Sequence, residues 1–367
     1  MKRQQNRSVL IFGGAGFIGS NLAEHLLERT EANVHVYDNL SRAGVHRNLE
    51  WLRKLAGNSG RLRVTVGDVR DAKLVEKAVA QANEIYHFAA QVAVTTSIVE
   101  PVMDFDVNLR GTFSILDAAR RCGHNPFILF TSTNKVYGNV GLGSPAAGKS
   151  RYDYPEHGGV SESQPLDFHS PYGCSKGAAD QYVRDFGRIY GLPTVVFRMS
   201  CVAGPRQFGT EDQGWVAHFL YSALRKKPVV IFGDGRQVRD VLCVHDLVRA
   251  FEAARRNLNT VAAQVYNIGG GSNNATSLLE LIDRIQVLIG HRLEYTLEPQ
   301  RPGDQLVYLT DYSKFYQHTG WRPEIDLART LELLRCFWEE NQSAWNERAL
   351  PVVDENRAWA QPSGRAA

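Results

Sequence analysis

A tyrosine and a lysine stand four residues apart in the run Leu166-Asp167-Phe168-His169-Ser170-Pro171-Tyr172-Gly173-Cys174-Ser175-Lys176. On a helix this spacing places both side chains on one face. A phenol ionises at about pH 10 in water, so it is a weak base at neutrality, and a nearby cation favours its phenolate form. Tyr172 can then take a proton from an alcohol hydroxyl while hydride leaves the carbon. Tyr-x-x-x-Lys also recurs by chance on ordinary helix surfaces, so its weight depends on the rest of the chain.

Upstream, the apolar run Val9 to Phe12 leads into Gly13-Gly14-Ala15-Gly16-Phe17-Ile18-Gly19. Glycines so spaced between a strand and a helix let the backbone approach a pyrophosphate at the positive helix end; the alternative is an ordinary glycine-rich turn. The second strand ends in Asp38, a carboxylate that can accept both ribose hydroxyls of an adenosine and repel a 2′-phosphate. This favours NAD over NADP, although Arg42 could accommodate the phosphate. Gly13, Gly16, Phe17, Ile18, Gly19, Asp38, Asn39, Ser41 and Arg42 are therefore candidate cofactor contacts. A bound nicotinamide ring would be the second cation beside Tyr172.

Asp68-Val69 follows the third strand and Ala89-Ala90-Gln91 the fourth, both at the carboxyl edge where such sheets bind ligands. Asp68 either meets the adenine amino group or caps the next helix. His87 reads as a core histidine more readily than as a catalyst. Asn108 is either a polar residue within a helix or a support for Lys176 through a bound water.

These residues need an alternating strand and helix frame. The runs 9–12, 34–37, 62–66, 84–88, 127–131 and 194–198 read as strands, with helices over 17–28, 45–55, 73–80, 103–121 and 172–190. Residues 139–164 read as an inserted loop, and a later helix spans 277–289. The expected fold is α/β: a doubly wound, parallel-sheet Rossmann domain (1–198 plus about 236–268) with a smaller α/β substrate lobe (about 199–235 plus 269–349). Residues 350–367 read as a flexible tail.

With 367 residues, 43% hydrophobic and 22% charged, the composition is that of a soluble enzyme. A net charge of +3 and the lack of a basic patch interleaved with aromatics argue against a nucleic-acid partner. No run approaches the roughly twenty apolar residues of a membrane span, and no signal-peptide core follows the basic first residues, so a cytoplasmic protein is expected. Five scattered cysteines without a Cys-x-x-Cys pair indicate neither a disulfide framework nor a metal site.

The fifth strand ends in Thr131-Ser132-Thr133-Asn134-Lys135-Val136-Tyr137-Gly138. Together with the glycine turn, Asp38, Tyr172 and Lys176, this run resembles the extended short-chain dehydrogenase/reductases that modify nucleotide-activated sugars, across residues 8 to 340. The resemblance implies that Thr133 hydrogen-bonds the reacting oxygen beside Tyr172, and that Lys176 binds the nicotinamide ribose. It also implies a nucleotide-sugar substrate, and a homodimer built on the helices beginning near Met103 and Tyr172. Gln91, Asn134, Lys135, His169, Ser170, Gln207 and Gln213 are candidates for the sugar pocket; Arg239 and Arg301 suit a diphosphate and Asp304 a nucleotide hydroxyl.

Dehydratases of this family carry an Asp-Glu pair after the threonine, whereas Asn134-Lys135 cannot act as one. Residues 132–138, 166–182, 206–208, 212–216 and 237–242 instead resemble the family's 2-epimerases. A 4-epimerase, or a 2-epimerase of a GDP- or UDP-sugar, is the alternative within enzymes; an NAD-binding regulatory module is the alternative outside them. Arg198-Met199-Ser200-Cys201-Val202-Ala203-Gly204-Pro205 departs from the family's Arg-x-x-Asn-x-Tyr-Gly-Pro, which implies a different nucleotide or sugar preference.

Overall fold

The computed structural model describes residues 7–138, 140, 146–153, 158–301 and 304–341. The expected tail at 350–367 lies outside the described residues. Strands β1 (Ser8–Phe12), β2 (Asn33–Asp38), β3 (Leu62–Val66), β4 (Glu84–His87) and β5 (Phe127–Thr133) join Thr194–Met199 and Gln264–Ile268 in one seven-stranded sheet. All of its pairings are parallel. The order runs Gln264–Ile268, Thr194–Met199, β5, β4, β1, β2, β3. The direction in which successive strands are added therefore reverses between β4 and β1, and such a switch point leaves a crevice at the carboxyl ends.

Helices cover both faces, which is why β5 is buried along its whole length and reads as a continuous apolar run rather than an alternating one. They include α1 (Phe17–Arg29), α2 (Val45–Ala56), α3 (Ala72–Val79), α4 (Val94–Val99), α5 (Pro101–Phe105), α6 (Gly111–Arg121) and α7 (Ser170–Tyr190). The expected single helix over 103–121 is two helices joined by a π turn, Asp106–Arg110, which carries the buried Asn108. Such a turn inserts a residue and rotates the side chains that follow.

Strand Val238–Cys243 does not join the large sheet. It pairs with Ala275–Ser277, Val307–Tyr308 and Cys201–Ala203 in a second, smaller sheet. The chain returns at helix Val244–Arg256, whose Leu247 and Phe251 enter the large-sheet core with Phe315 and Trp321. A separate core gathers helices Trp215–Leu224, Leu278–Ile289 and Leu327–Glu340. Within the expected loop, Ala146–Ala147 pairs with Tyr152–Asp153, and Val160 bridges to Thr310. No described helix is long and apolar enough to cross a membrane.

Helix Leu278–Ile289 begins with a reciprocal cap: the Ser277 hydroxyl accepts from the Glu280 amide at 3.1 Å, and the Glu280 carboxylate accepts from the Ser277 amide at 3.0 Å. Glu280 also pairs with Arg151 at 2.6 Å. Replacing Ser277 with Ala should cost about 1–2 kcal/mol, read as a lower urea midpoint with an unchanged slope.

Candidate active site

The crevice floor is backbone. Gly13 has φ +77°, and a Cβ there would lie 2.7 Å from the Ala89 amide nitrogen; a Cβ on Gly19 would overlap the Gly13 carbonyl. Gly16 is the N-cap of α1 without any side-chain cap, so Phe17, Ile18 and Gly19 open the helix with its amides uncapped by a side chain. This is an anion cradle. At the end of β2, Asp38 accepts from the Ala15 and Leu40 amides at 3.1 and 2.9 Å, which fixes its carboxylate beside the glycine turn. Burial raises its carboxyl pKa, and those amides with Arg42 pull it back. Arg42 is solvent-accessible and lies within electrostatic range of both Asp38 and Tyr172, so it reaches over the crevice.

Beside Asp38, the Ser41 amide donates to Asn39, whose side-chain amide donates to Asp68 at 3.0 Å. Arg70 grips Asp68 with two 2.8 Å bonds and holds its carboxyl well below the usual range. Asp71, not Asp68, caps α3. Val69 is buried against Gly111. Ala89 and Ala90 follow β4, and the next residue, Gln91, exchanges two bonds with the Asn108 amide through its backbone. The buried Gln91 Oε1 has no partner. Room for backbone alone, an uncapped helix start, a fixed carboxylate and an orphaned acceptor fit a dinucleotide with free ribose hydroxyls.

Across the crevice, Thr133 ends β5 and Tyr172 lies in the first turn of α7, its phenol within electrostatic range of Thr133. Both side chains are buried, at 8% exposure each. Burial pushes the phenol up to about 12, with Thr133 and Arg42 opposing and Asp104 reinforcing the rise. Lys176 does not supply the expected lowering. Its ammonium turns to the sheet, donating to the Thr131 carbonyl at 2.6 Å over the Phe130 ring. Burial lowers Lys176 to about 7 against the opposing pull of Asp180 and Asp104. His87 is a core histidine, paired with Thr112 at 2.9 Å and pushed down to about 3 by burial. Asn108, a polar residue within the π turn, tethers the Gln91 backbone with its side chain and also donates to Asp104 and Ser175.

On the far side, Asn134 donates to Gln305 at 3.2 Å and Lys135 pairs with Asp304 at 3.4 Å, tying the catalytic strand to the second lobe. Gln305, overlooked in the sequence, also donates to the Gly138 carbonyl and accepts from Arg239 through its own carbonyl. Arg239 and Arg301 each engage partners within the protein. Arg239 binds backbone carbonyls, while Arg301 pairs with Glu211 and Asp212 and stacks on Phe232. Gln207 donates to the Val202 carbonyl, and Gln213 closes a backbone pair with Thr210. Cys201, at the position of the family's asparagine, accepts from Trp215 at 3.3 Å within electrostatic range of Arg239 and Lys135. His169 is exposed and paired with Asp167, and Ser170 takes φ +68° to start α7.

The GDP-mannose 4,6 dehydratase family model matches residues 10–334. The CDP-paratose 2-epimerase of Salmonella typhi is 42% identical over 327 residues, covering 86% of this chain and 95% of the relative. The UDP-glucuronic acid 4-epimerase of Bacillus cereus, solved with UDP-glucuronic acid and NAD, has a TM-score of 0.79 at 25% identity, covering 91% of this chain and 99% of its own. The UDP-glucose 4-epimerase of Thermus thermophilus, solved with NAD, has a TM-score of 0.74 at 32% identity, covering 90% and 98%. A match of this span takes in nearly all of both sheets, and the chain belongs to the GDP-mannose 4,6 dehydratase family, within the extended short-chain dehydrogenase/reductases of nucleotide sugars.

Proposed function

We propose that this chain is an NAD-dependent nucleotide-sugar 2-epimerase that interconverts CDP-paratose and CDP-tyvelose or a close analogue. The observation that carries the reading is the buried Tyr172 phenol beside Thr133, with Asn134 and Lys135, not carboxylates, at the next two positions. The first half equips the site to move a proton from a sugar hydroxyl; the second removes the acid pair that elimination of water needs. Similarity to the Salmonella typhi 2-epimerase supports C2 as the carbon.

No carbonyl adjoins C2 of a nucleotide sugar, so direct deprotonation has nothing to stabilise the carbanion. Transient oxidation removes that obstacle. Tyr172, beside Thr133, takes the C2 hydroxyl proton as the C2–H bond breaks, leaving a 2-keto sugar. NAD, when bound, supplies the hydride acceptor and then the donor. The sugar turns while its nucleotide stays anchored, and Tyr172 returns the proton to the oxygen as C2 is reduced on its other face. The glycine turn and Asp38 would hold the cofactor; Lys135, Arg239, Arg301 and Asp304 are candidates to hold the nucleotide sugar, with Arg301 exchanging its acidic partners for phosphate. Turnover in deuterated water tests the cycle by NMR: the product should carry protium at C2, and substantial deuterium there would contradict internal return.

The 4-epimerases among the solved structures favour a second reading, epimerisation of a UDP-sugar at C4. A panel of CDP-, GDP- and UDP-sugars assayed by NMR separates the two. A homodimer is also proposed, because Val102, Phe105, Phe113, Tyr182 and Ile189 leave an exposed apolar surface on α5, α6 and α7. Light scattering should return the mass of two chains.

A further inference from the structure

Asp104 lies on α5, is wholly buried, and sits behind the Tyr172 and Lys176 pair. One of its oxygens accepts from the Ser175 hydroxyl and the other from the Asn108 side-chain amide at 3.0 Å. Ser175 precedes Lys176 directly and is itself 3.2 Å from the Tyr172 carbonyl, so a single hydroxyl joins this carboxylate to the turn that carries both catalytic side chains. A carboxylate without water is unfavourable unless hydrogen-bonded and matched by a cation. Here each oxygen accepts one hydrogen bond, and the cation in range is Lys176.

We propose that Asp104 is a positioning residue of the redox pair, pinning the first turns of α7 through Ser175 and supplying the counter-charge for the Lys176 ammonium. Around Lys176 stand Asp104 from α5, Asp180 from its own helix and His87 from β4; His87 is neutral at physiological pH, so the two carboxylates oppose desolvation. Tyr172 is faced by the same Asp104 and by Arg42 from the segment after β2. A buried lysine stripped of such a partner sheds its proton more readily. Burial raises the Asp104 carboxyl itself, and Ser175, Lys176 and Asn108 draw it back. This inference rests on Tyr172 and Lys176 being the redox pair of the proposed epimerase.

Asp104→Asn keeps the size and the acceptor for Asn108 while removing the charge, and the Ser175 hydroxyl can turn to accept from the new amide. In protein carrying ¹³Cε-lysine, with the Lys176 resonance assigned by its loss in Lys176→Met, the variant should lower the Lys176 titration midpoint by about one pH unit, a tenfold weaker hold on the proton. An unchanged midpoint in a folded variant overturns the proposal, because packing alone does not move it. The wild-type protein provides an independent reading should the variant not fold: the same resonance should show a second, smaller inflection on the acid side as Asp104 takes up its proton. A flat acid limb overturns the proposal equally. Neither titration involves substrate or turnover, so failure of the epimerase assignment would show in the sugar panel and not here.

Discussion

Replacing Tyr172 with Phe should lower turnover by about 10²–10⁴-fold while leaving the fold and nucleotide-sugar binding close to wild type. The ring is buried in the first turn of α7, and Phe preserves that packing. Only the hydroxyl is lost, and with it the acceptor for the sugar proton. Burial pushes the phenol up to about 12 with Arg42 already opposing, so for Tyr172 to act as the base the cationic nicotinamide of bound cofactor would have to draw it down. Single-turnover measurement by NMR, alongside thermal protection by the nucleotide sugar, separates chemistry from binding. A near-normal rate in the Phe variant would remove Tyr172 from the mechanism.

Asp180→Ala should be the most destabilising single change considered, at about 3–5 kcal/mol. Asp180 on α7 and Arg198 on the neighbouring strand form a two-bond pair at 2.8 and 2.9 Å with almost no solvent access, and Arg198 reaches on to the Tyr137 hydroxyl at 3.0 Å. Removing the acid strands a buried guanidinium whose desolvation then goes uncompensated. The double change Asp180→Ala with Arg198→Met should recover much of the loss, since it removes both charges together. Urea denaturation of the four proteins completes the cycle. Equal stability of the single and double variants would show that the pair does not carry this energy. Because α7 also bears Tyr172 and Lys176, the single variant should lose activity before it unfolds globally.

Short-range order was largely readable. The strands of the large sheet, the glycine turn, Asp38 at the end of β2 and Thr133 at the end of β5 depend on periods of two to seven residues, which a single sequence displays. Helix Leu327–Glu340 was legible too: Asp326 caps it, and Leu327, Leu331 and Leu334 repeat at helical spacing, though the sequence reading passed over it. Strand Val238–Cys243 finds its partners in Cys201–Ala203 and Ala275–Ser277, segments remote in the chain that no local pattern points to.

By itself the sequence determined which chemical groups exist and which lie on a common element: the Tyr172 and Lys176 pair, the glycine backbone, and the missing acids at Asn134 and Lys135. Tertiary structure alone decided their states and partners. Lys176 turns to Thr131, Arg301 to Glu211 and Asp212, and Asn134 to Gln305 across 171 positions. The phenol rises where a neighbouring ammonium had suggested a fall, because burial outweighs Thr133 and Arg42. Proton affinity follows desolvation and distance to charge, and both are set by segments far apart in the chain that meet only on folding.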